Sequence, residues 1–482
     1  MKLSRNKDKI YAISDIIAFA LYIVIHLFFI FHHEAWRDEA QAWLIAKNLS
    51  LQEIFMICRV EGHPILWFLF LFPFAKLGFS FYFVSYISLF IMSICVYVLL
   101  KKSPLPKIVN YIVLLSTTFF YYNAVIFRIY CISILIVLLI CVFYKDRLEK
   151  PFIYSLLIAL LFQTQIKYSG LAIGLCIEFI YMIIARKKNY RKLFFLLLPF
   201  ISLILVIAEL LPIGNYAPAV SLSVKSDFIH KIIRGFERIA LSSWGVTNKY
   251  LSLCLYIVLL IIIVLILVRI IRTKQIGEYF GIFAIAVCAI GAYYLITAFI
   301  KSSHTQMASI LSSILLLIAW CAQYHNDARI NQYACLLLLL FSVFSFYVNF
   351  SDAKKDLVSV YSYGKETAEY IEKNLEDQSV ILTTYDEINP VVNAFVSSIR
   401  KDIVFYDLSN KREYTFHQWA ENHSKISPED IVNYADNNFD SSNIYYLSRD
   451  EVDNTRFVEE FSNLGKESLS GENYVLYKLN LD

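Results

Sequence analysis

Apolar runs of about 17 to 22 residues recur through the first 350 positions of the chain, each long enough at ~1.5 Å per helical residue to cross a hydrocarbon core of roughly 30 Å. No single water-soluble core hides so many such segments, so the pattern predicts an α-helical polytopic membrane protein. Eleven spans are expected, near 11–31, 80–100, 107–124, 127–144, 151–167, 168–185, 193–212, 250–270, 278–299, 303–322 and 332–350. A further apolar stretch at 64–78 contains Pro73 and Lys76 and is expected to lie at the interface; read as a crossing, it raises the count to twelve or thirteen.

Charge divides the chain in two. The net charge of the 482 residues is only +4, but residues 1–350 hold 15 acidic and 31 basic side chains, whereas 351–482 hold 25 and 13. A basic, hydrophobic front followed by an acidic tail excludes an ordinary soluble enzyme. It also argues against a nucleic-acid partner, because the cations sit in short clusters between apolar runs and form no phosphate-tracking surface. All nine cysteines precede residue 351 and show no CxxC or metal-ligand spacing, so neither disulfides nor a zinc site is expected.

The first span runs into His32-His33-Glu34 without a small-residue cleavage site and is expected to remain as a signal anchor. With residues 1–10 in the cytoplasm, the inner segments hold 19 of the 31 front cations, which favours that orientation. An odd number of crossings then places the tail outside. Two domains follow: a membrane domain at 1–350, whose first outer loop is 32–79, and an extracytoplasmic α/β domain at 351–482. In the latter, strands are expected at 379–386, 402–408, 443–449 and 473–479. Helices are expected near 389–400, 414–437 with a fresh start at Ser427-Pro428, and 453–464. The tail carries no GxGxxG and no phosphate loop, so no chemistry is assigned to it.

Five of the fifteen front acidic residues, Glu34, Asp38, Glu39, Glu53 and Glu61, fall in one window of 28. The same window should form an amphipathic helix with its tryptophans at headgroup level. Arg128, Lys167, Glu209, Lys301 and His304 all fall at outer ends of expected spans. Any one could snorkel to water, but cations and carboxylates meeting at one membrane level beside a carboxylate-rich loop describe a site for an anionic, lipid-borne substrate. Glu178 lies inside the sixth span, where a functional group and a packed structural carboxylate are equally good readings. The outer loop 213–249 is expected to be solvated rather than a substrate cover.

One span followed by WRDEAQAWLIA, then EGHPILW, then Arg128-Ile129-Tyr130 opening a later span resembles the GT-C superfamily of polytopic glycosyltransferases. The likeness is strongest to the bacterial branch related to protein O-mannosyltransferases and the lipid A aminoarabinose transferase. It covers the first seven spans, extends loosely to the Ser-Ser-His ending at His304, and says little about the tail. It implies a multi-pass enzyme of the bacterial plasma membrane that transfers sugar from a polyprenyl-phosphate donor to a cell-envelope acceptor at the outer face, with membrane lipid as its surroundings. Asp38 then matches the catalytic base, and Glu39 assists it. Arg128 and His63 hold the donor phosphate, with His63 standing where many relatives have the lysine of a Glu-Lys-Pro motif. Lys301 and His304 resemble a late closing element whose arginine this chain lacks. Glu61 and Lys167 are assigned to substrate.

The chemistry is coherent apart from the resemblance. A polyprenyl phosphate is a fair leaving group, so the protein must chiefly take a proton from an acceptor hydroxyl and stabilise phosphate charge. Direct displacement inverts the anomeric centre. Two adjacent carboxylates can attract a divalent cation, but the basic residues can replace it, and no metal or other cofactor is expected. A transporter or flippase of a lipid-linked saccharide is the alternative, with Glu178 and the span count as its main support.

Overall fold

The computed structural model describes residues 2–185, 189–211, 249–299, 304–384, 389–418, 426–439 and 443–481. The outer loop expected at 213–249 therefore lies almost wholly outside the described residues. Helix α1 (Lys2–His32) leads into three short helices of the first loop, α2 (Arg37–Asn48), α3 (Leu51–Glu61) and α4 (Leu66–Lys76). Then come α5 (Val84–Lys102), α6 (Lys107–Val113), α7 (Tyr122–Val125), α8 (Tyr130–Tyr144), α9 (Pro151–Phe162), α10 (Ser169–Ala185) and α11 (Leu197–Leu210). The bundle closes with α12 (Lys249–Arg272), α13 (Ile276–Phe299), α14 (His304–Ala322) and α15 (Ala328–Val358).

Among the described residues, six helical stretches are long and apolar enough to cross a membrane: Lys9–His32, Phe81–Lys102, Ile166–Ala185, Tyr190–Leu210, Ile276–Ile296 and Ala328–Val358. By length and composition the chain is a polytopic membrane protein. Helices α4, α8, α9 and the apolar part of α14 are shorter. The span expected at 107–124 is not one helix, since α6 ends at Val113 and the chain turns before α7. Ser116, Thr117 and Thr118 sit at that break, where hydroxyls compete with helical hydrogen bonding. Asn123 secures the turn by donating to the Thr118 carbonyl at 2.8 Å and to Ser309 Oγ of α14 at 2.8 Å.

Ion pairs pin one end of the bundle. Buried Asp15 of α1 accepts from Lys101 at 3.2 Å, Lys107 at 2.8 Å and the Tyr111 hydroxyl at 3.0 Å, joining α1, α5 and α6. Arg269 reaches Asp327 at 2.9 Å, tying α12 to the start of α15. Helices α10 and α13 approach closely through Gly170 and Gly174, a small-xxx-small pair. A Cβ on Gly170 would overlap Ala292 and the Cys288 carbonyl, and one on Gly174 would stand 2.8 Å from Ile285 Cα. Gly170→Ala is therefore expected to force the helices apart, cost about 1–3 kcal/mol and lower the thermal midpoint in detergent. Gly291→Ala, where nothing lies within 4 Å of the added carbon, should be tolerated in the same assay.

Helix α15 continues past the expected domain boundary to Val358 and delivers the chain to α16 (Gly364–Asn374), a helix the sequence reading did not anticipate. A six-stranded sheet follows: β1 (Val380–Thr383), β2 (Val404–Asp407), β3 (Arg412–Glu413), β4 (Ile444–Ser448), β5 (Phe457–Ser462) and β6 (Val475–Leu479), in the order β3-β2-β1-β4-β6-β5. The first, second and fourth strands are parallel, with Val380 opposite both Val404 and Ile444. Helices α17 (Pro390–Ile399) and α18 (Pro428–Asn438) make the crossovers. Ser427 caps α18 by accepting from the Asp430 amide at 3.2 Å, with Pro428 in the first turn.

Two expectations in the tail are corrected. The stretch 453–464 is not a helix: its centre is β5, which pairs antiparallel with β6 and carries a register shift between Glu459 and Phe461. The first half of 414–437 begins with irregular chain after β3, and 419–425 lie outside the described residues. The sheet domain packs directly on the first loop. Phe395 of α17 meets Phe81 with ring centroids 4.8 Å apart, and Lys47 of α2 donates to the Ser397 carbonyl at 2.9 Å. Trp43 is accordingly buried at 1% exposure against Phe81, in protein and not at a lipid headgroup boundary as expected.

Candidate functional site

The first loop is folded by local rules. Ser50 and Glu53 form a reciprocal cap, the Glu53 carboxylate accepting from the Ser50 amide at 2.7 Å. Gly62, at φ 68°, ends α3 in the left-handed region. That turn delivers His63 to Arg128. Asp38 and Glu39 occupy the first turn of α2, where carboxylates suit the exposed amides. Arg128 lies on the turn between α7 and α8, its amide donating to Ile126 O at 3.0 Å. Lys167 belongs to a 3-10 turn, Ile166–Tyr168, that opens α10.

These separate elements converge. Arg128 Nη1 donates to Asp38 Oδ2 in an ion pair, and its Nη2 donates to His63 Nε2 at 3.2 Å. The guanidinium also lies 5.6 Å from the Tyr130 ring centroid. Asp38 is 29% exposed and Arg128 15%, so the pair borders open space. Arg37 approaches the other Asp38 oxygen at 3.7 Å. Burial, then the charge of Arg128, hold His63 down to about 3, so the ring is neutral. With Nε2 engaged by Arg128, its Nδ1–H is the donor left for a ligand. Lys167 is buried at 6% exposure within electrostatic reach of both Arg128 and His63.

Glu39 takes a different position from the one expected. It is fully buried, and its carboxylate accepts from the Phe127 amide at 2.5 Å, the Trp36 amide at 3.1 Å and His33 Nε2 at 3.2 Å. Every one of these partners is protein. Glu39 thus ties the Arg128 turn to α2, while Asp38 alone of the pair is partly exposed. Adjacent residues on a helix diverge by about 100°, and this divergence means the two carboxylates do not form a joint chelate. Among the described residues no group of three or more His, Cys, Asp and Glu converges as metal ligands would.

Sequence reasoning missed the layer behind the site. His33 bridges Glu39 and Asp356 of α15, its Nδ1 standing 3.0 Å from Asp356 Oδ2. Tyr121 donates to the same Asp356 oxygen at 2.6 Å. Burial opposes charge on the ring, yet Asp356 and Glu39 raise His33 to about 10. The sheet domain adds further ties. Glu34 accepts from the Tyr361 amide at 2.9 Å, and Glu472 accepts from the Arg37 amide at 3.1 Å and from Ser362 Oγ at 2.7 Å. Burial raises both glutamates above the ordinary carboxylate range. Glu61, expected at the substrate, is tied to α2 and through it to the sheet domain: it accepts from Gln41 at 2.8 Å, and Gln41 also exchanges hydrogen bonds with the His417 backbone.

The other expected residues lie elsewhere. Lys301 is outside the described residues, as is the side chain of His304, whose backbone starts α14. Glu209 accepts from the Ile65 amide at 3.3 Å, capping the entry to α4. Glu178, at the opposite end of the bundle, is held by Arg147 through contacts of 2.6 and 2.9 Å and by the Tyr144 hydroxyl at 3.3 Å. No protein-family model, curated protein or solved structure matches this chain.

Proposed function

We propose that this protein is a GT-C-type glycosyltransferase that moves a sugar from a polyprenyl-phosphate donor to a cell-envelope acceptor. The observation that carries the reading is the meeting of Asp38, Arg128, His63 and Lys167 at one end of an apolar bundle. In the reaction an acceptor hydroxyl attacks the anomeric carbon, and the carbon–oxygen bond to phosphate breaks with its electron pair leaving on the phosphate oxygen. Asp38 takes the hydroxyl proton. A carboxylate is a far weaker base than an alkoxide, so the proton moves late, as the new bond forms. Arg128, with Lys167 and the His63 Nδ1–H, stabilises the charge gathering on the departing phosphate. Lys301 and His304 are assigned to the same phosphate by resemblance. Displacement without a protein nucleophile gives inversion.

The orientation that goes with this function has eleven crossings in a bacterial plasma membrane, counting α12, the shorter α8, α9 and α14, and the interrupted stretch from α6 to α7 as one crossing. The amino terminus is cytoplasmic and the sheet domain extracytoplasmic. The transporter reading drew its support from Glu178 as an isolated intramembrane carboxylate. Its ion pair with Arg147 gives it a protein partner and weakens that support.

Proteoliposomes containing the full chain separate the two activities. Donor labelled in both lipid and sugar is supplied on the outside. Transfer leaves unglycosylated polyprenyl phosphate and moves the sugar label to acceptor or water. Appearance of intact donor in the inner leaflet, with no loss of its sugar, contradicts the enzyme reading and supports transport.

A further inference from the structure

The buried Lys167 lies within electrostatic reach of the half-buried Arg128, and Arg128 alone of the two is paired with a carboxylate, that of Asp38. No hydrogen-bond partner of the Lys167 amine is found among the described residues. Arg128 spends one arm on Asp38 and the other on neutral His63. Arg128 and Lys167 thus outnumber the one carboxylate between them, and Arg37 at 3.7 Å from Asp38 adds a further cation. The acid is also the one member with room to leave, since Asp38 is 29% exposed and has Arg37 as a second partner.

We infer that Arg128, Lys167 and His63 form a phosphate site whose occupant in the ligand-free protein is the carboxylate of Asp38, and that an incoming isoprenyl phosphate displaces it. The inference rests on the proposed reaction and adds an order of events to it. A carboxylate and a phosphate oxygen compete for the same guanidinium N–H groups, because both suit its planar fork. While Asp38 holds Arg128, the carboxylate oxygen is engaged and is not presented to an acceptor. Once phosphate takes Arg128, Asp38 is released and meets the acceptor hydroxyl. The donor therefore binds first, and the base is masked until it does, which protects the site from futile proton transfer.

The exchange makes a prediction that a simple catalytic base does not. Removing the competing carboxylate should tighten phosphate binding even though it abolishes chemistry. Farnesyl phosphate is titrated calorimetrically into the full chain in nanodiscs, as wild type, Asp38→Asn, Arg128→Gln and the double variant. Asp38→Asn should bind about tenfold more tightly, the worth of one charge-assisted hydrogen bond no longer to be broken. In the Arg128→Gln background that gain should vanish, because the contested group is gone.

Equal affinity of wild type and Asp38→Asn overturns the exchange and leaves the transferase reading standing. So does a gain that survives in Arg128→Gln, since it then reflects general charge repulsion. Absence of farnesyl phosphate binding by wild type and Asp38→Asn alike overturns the transferase reading together with the exchange. Difference infrared spectroscopy of the wild type needs no variant to fold. Farnesyl phosphate should shift one carboxylate stretch towards that of an unpaired aspartate, and the lack of any shift on binding overturns the exchange.

Discussion

Asp38→Asn should lower the rate of sugar transfer by about 10²–10⁴-fold, the usual contribution of a positioned general base. The amide keeps the shape of the side chain and can still lie against Arg128, but it cannot take the acceptor proton. The loss should appear in kcat, with the donor KM lowered. Glu39→Gln, one residue along, should behave differently. Glu39 is buried and bonded to Phe127, Trp36 and His33, so its substitution should loosen the Arg128 turn, raise the donor KM and lower thermal stability together. Steady-state kinetics on the two variants, with thermal unfolding alongside, distinguish the base from the group that positions it.

The second large effect concerns stability. His33 is 1% exposed between two buried carboxylates, and His33→Ala leaves Glu39 and Asp356 facing each other without a cation. Breaking a buried pair from one side typically costs about 3–5 kcal/mol, so the thermal midpoint should fall by several degrees. Adding Asp356→Asn should recover part of the loss by removing one orphaned charge. The pH dependence has a defined sign. His33 is raised from an ordinary 6.5 to about 10 in the folded protein, so its stabilisation is fully present below 6.5 and is lost as pH rises through about 10. Wild type should therefore lose stability across that window, and His33→Ala should lack this component.

Legibility in the sequence followed the physical range of each signal. Uninterrupted apolar runs announced the bundle, and short β-branched or aromatic runs announced the strands at 380–383, 404–407, 444–448 and 475–479, because both depend on neighbours in sequence. Strand β5 was misread as a helix since Phe457 and Phe461 are four residues apart with Glu459 and Glu460 between them, which also suits an amphipathic turn. Pairing with β6 and a bulge decided otherwise. At the site, the acidic cluster after α1 and the arginine before α8 were visible as unusual polar residues at one level. Their individual roles were not. Whether Asp38 or Glu39 is left partly exposed depends on Phe127, His33 and Asp356, and the last lies 323 residues from His33. Nor could composition show that the acidic tail clamps the first loop through Lys47, Gln41 and Arg37.

The central claim is that the chain breaks a sugar–phosphate bond with Asp38 as base. It is tested most directly by incubating the purified protein with a panel of radiolabelled polyprenyl-phosphate sugars and measuring sugar released or transferred, for wild type and Asp38→Asn, with and without a chelator. The account predicts turnover of at least one donor by wild type, its near-complete loss in Asp38→Asn despite retained donor binding, and no effect of the chelator. Turnover by Asp38→Asn at the wild-type rate, or no donor consumed by wild type across the panel, contradicts it.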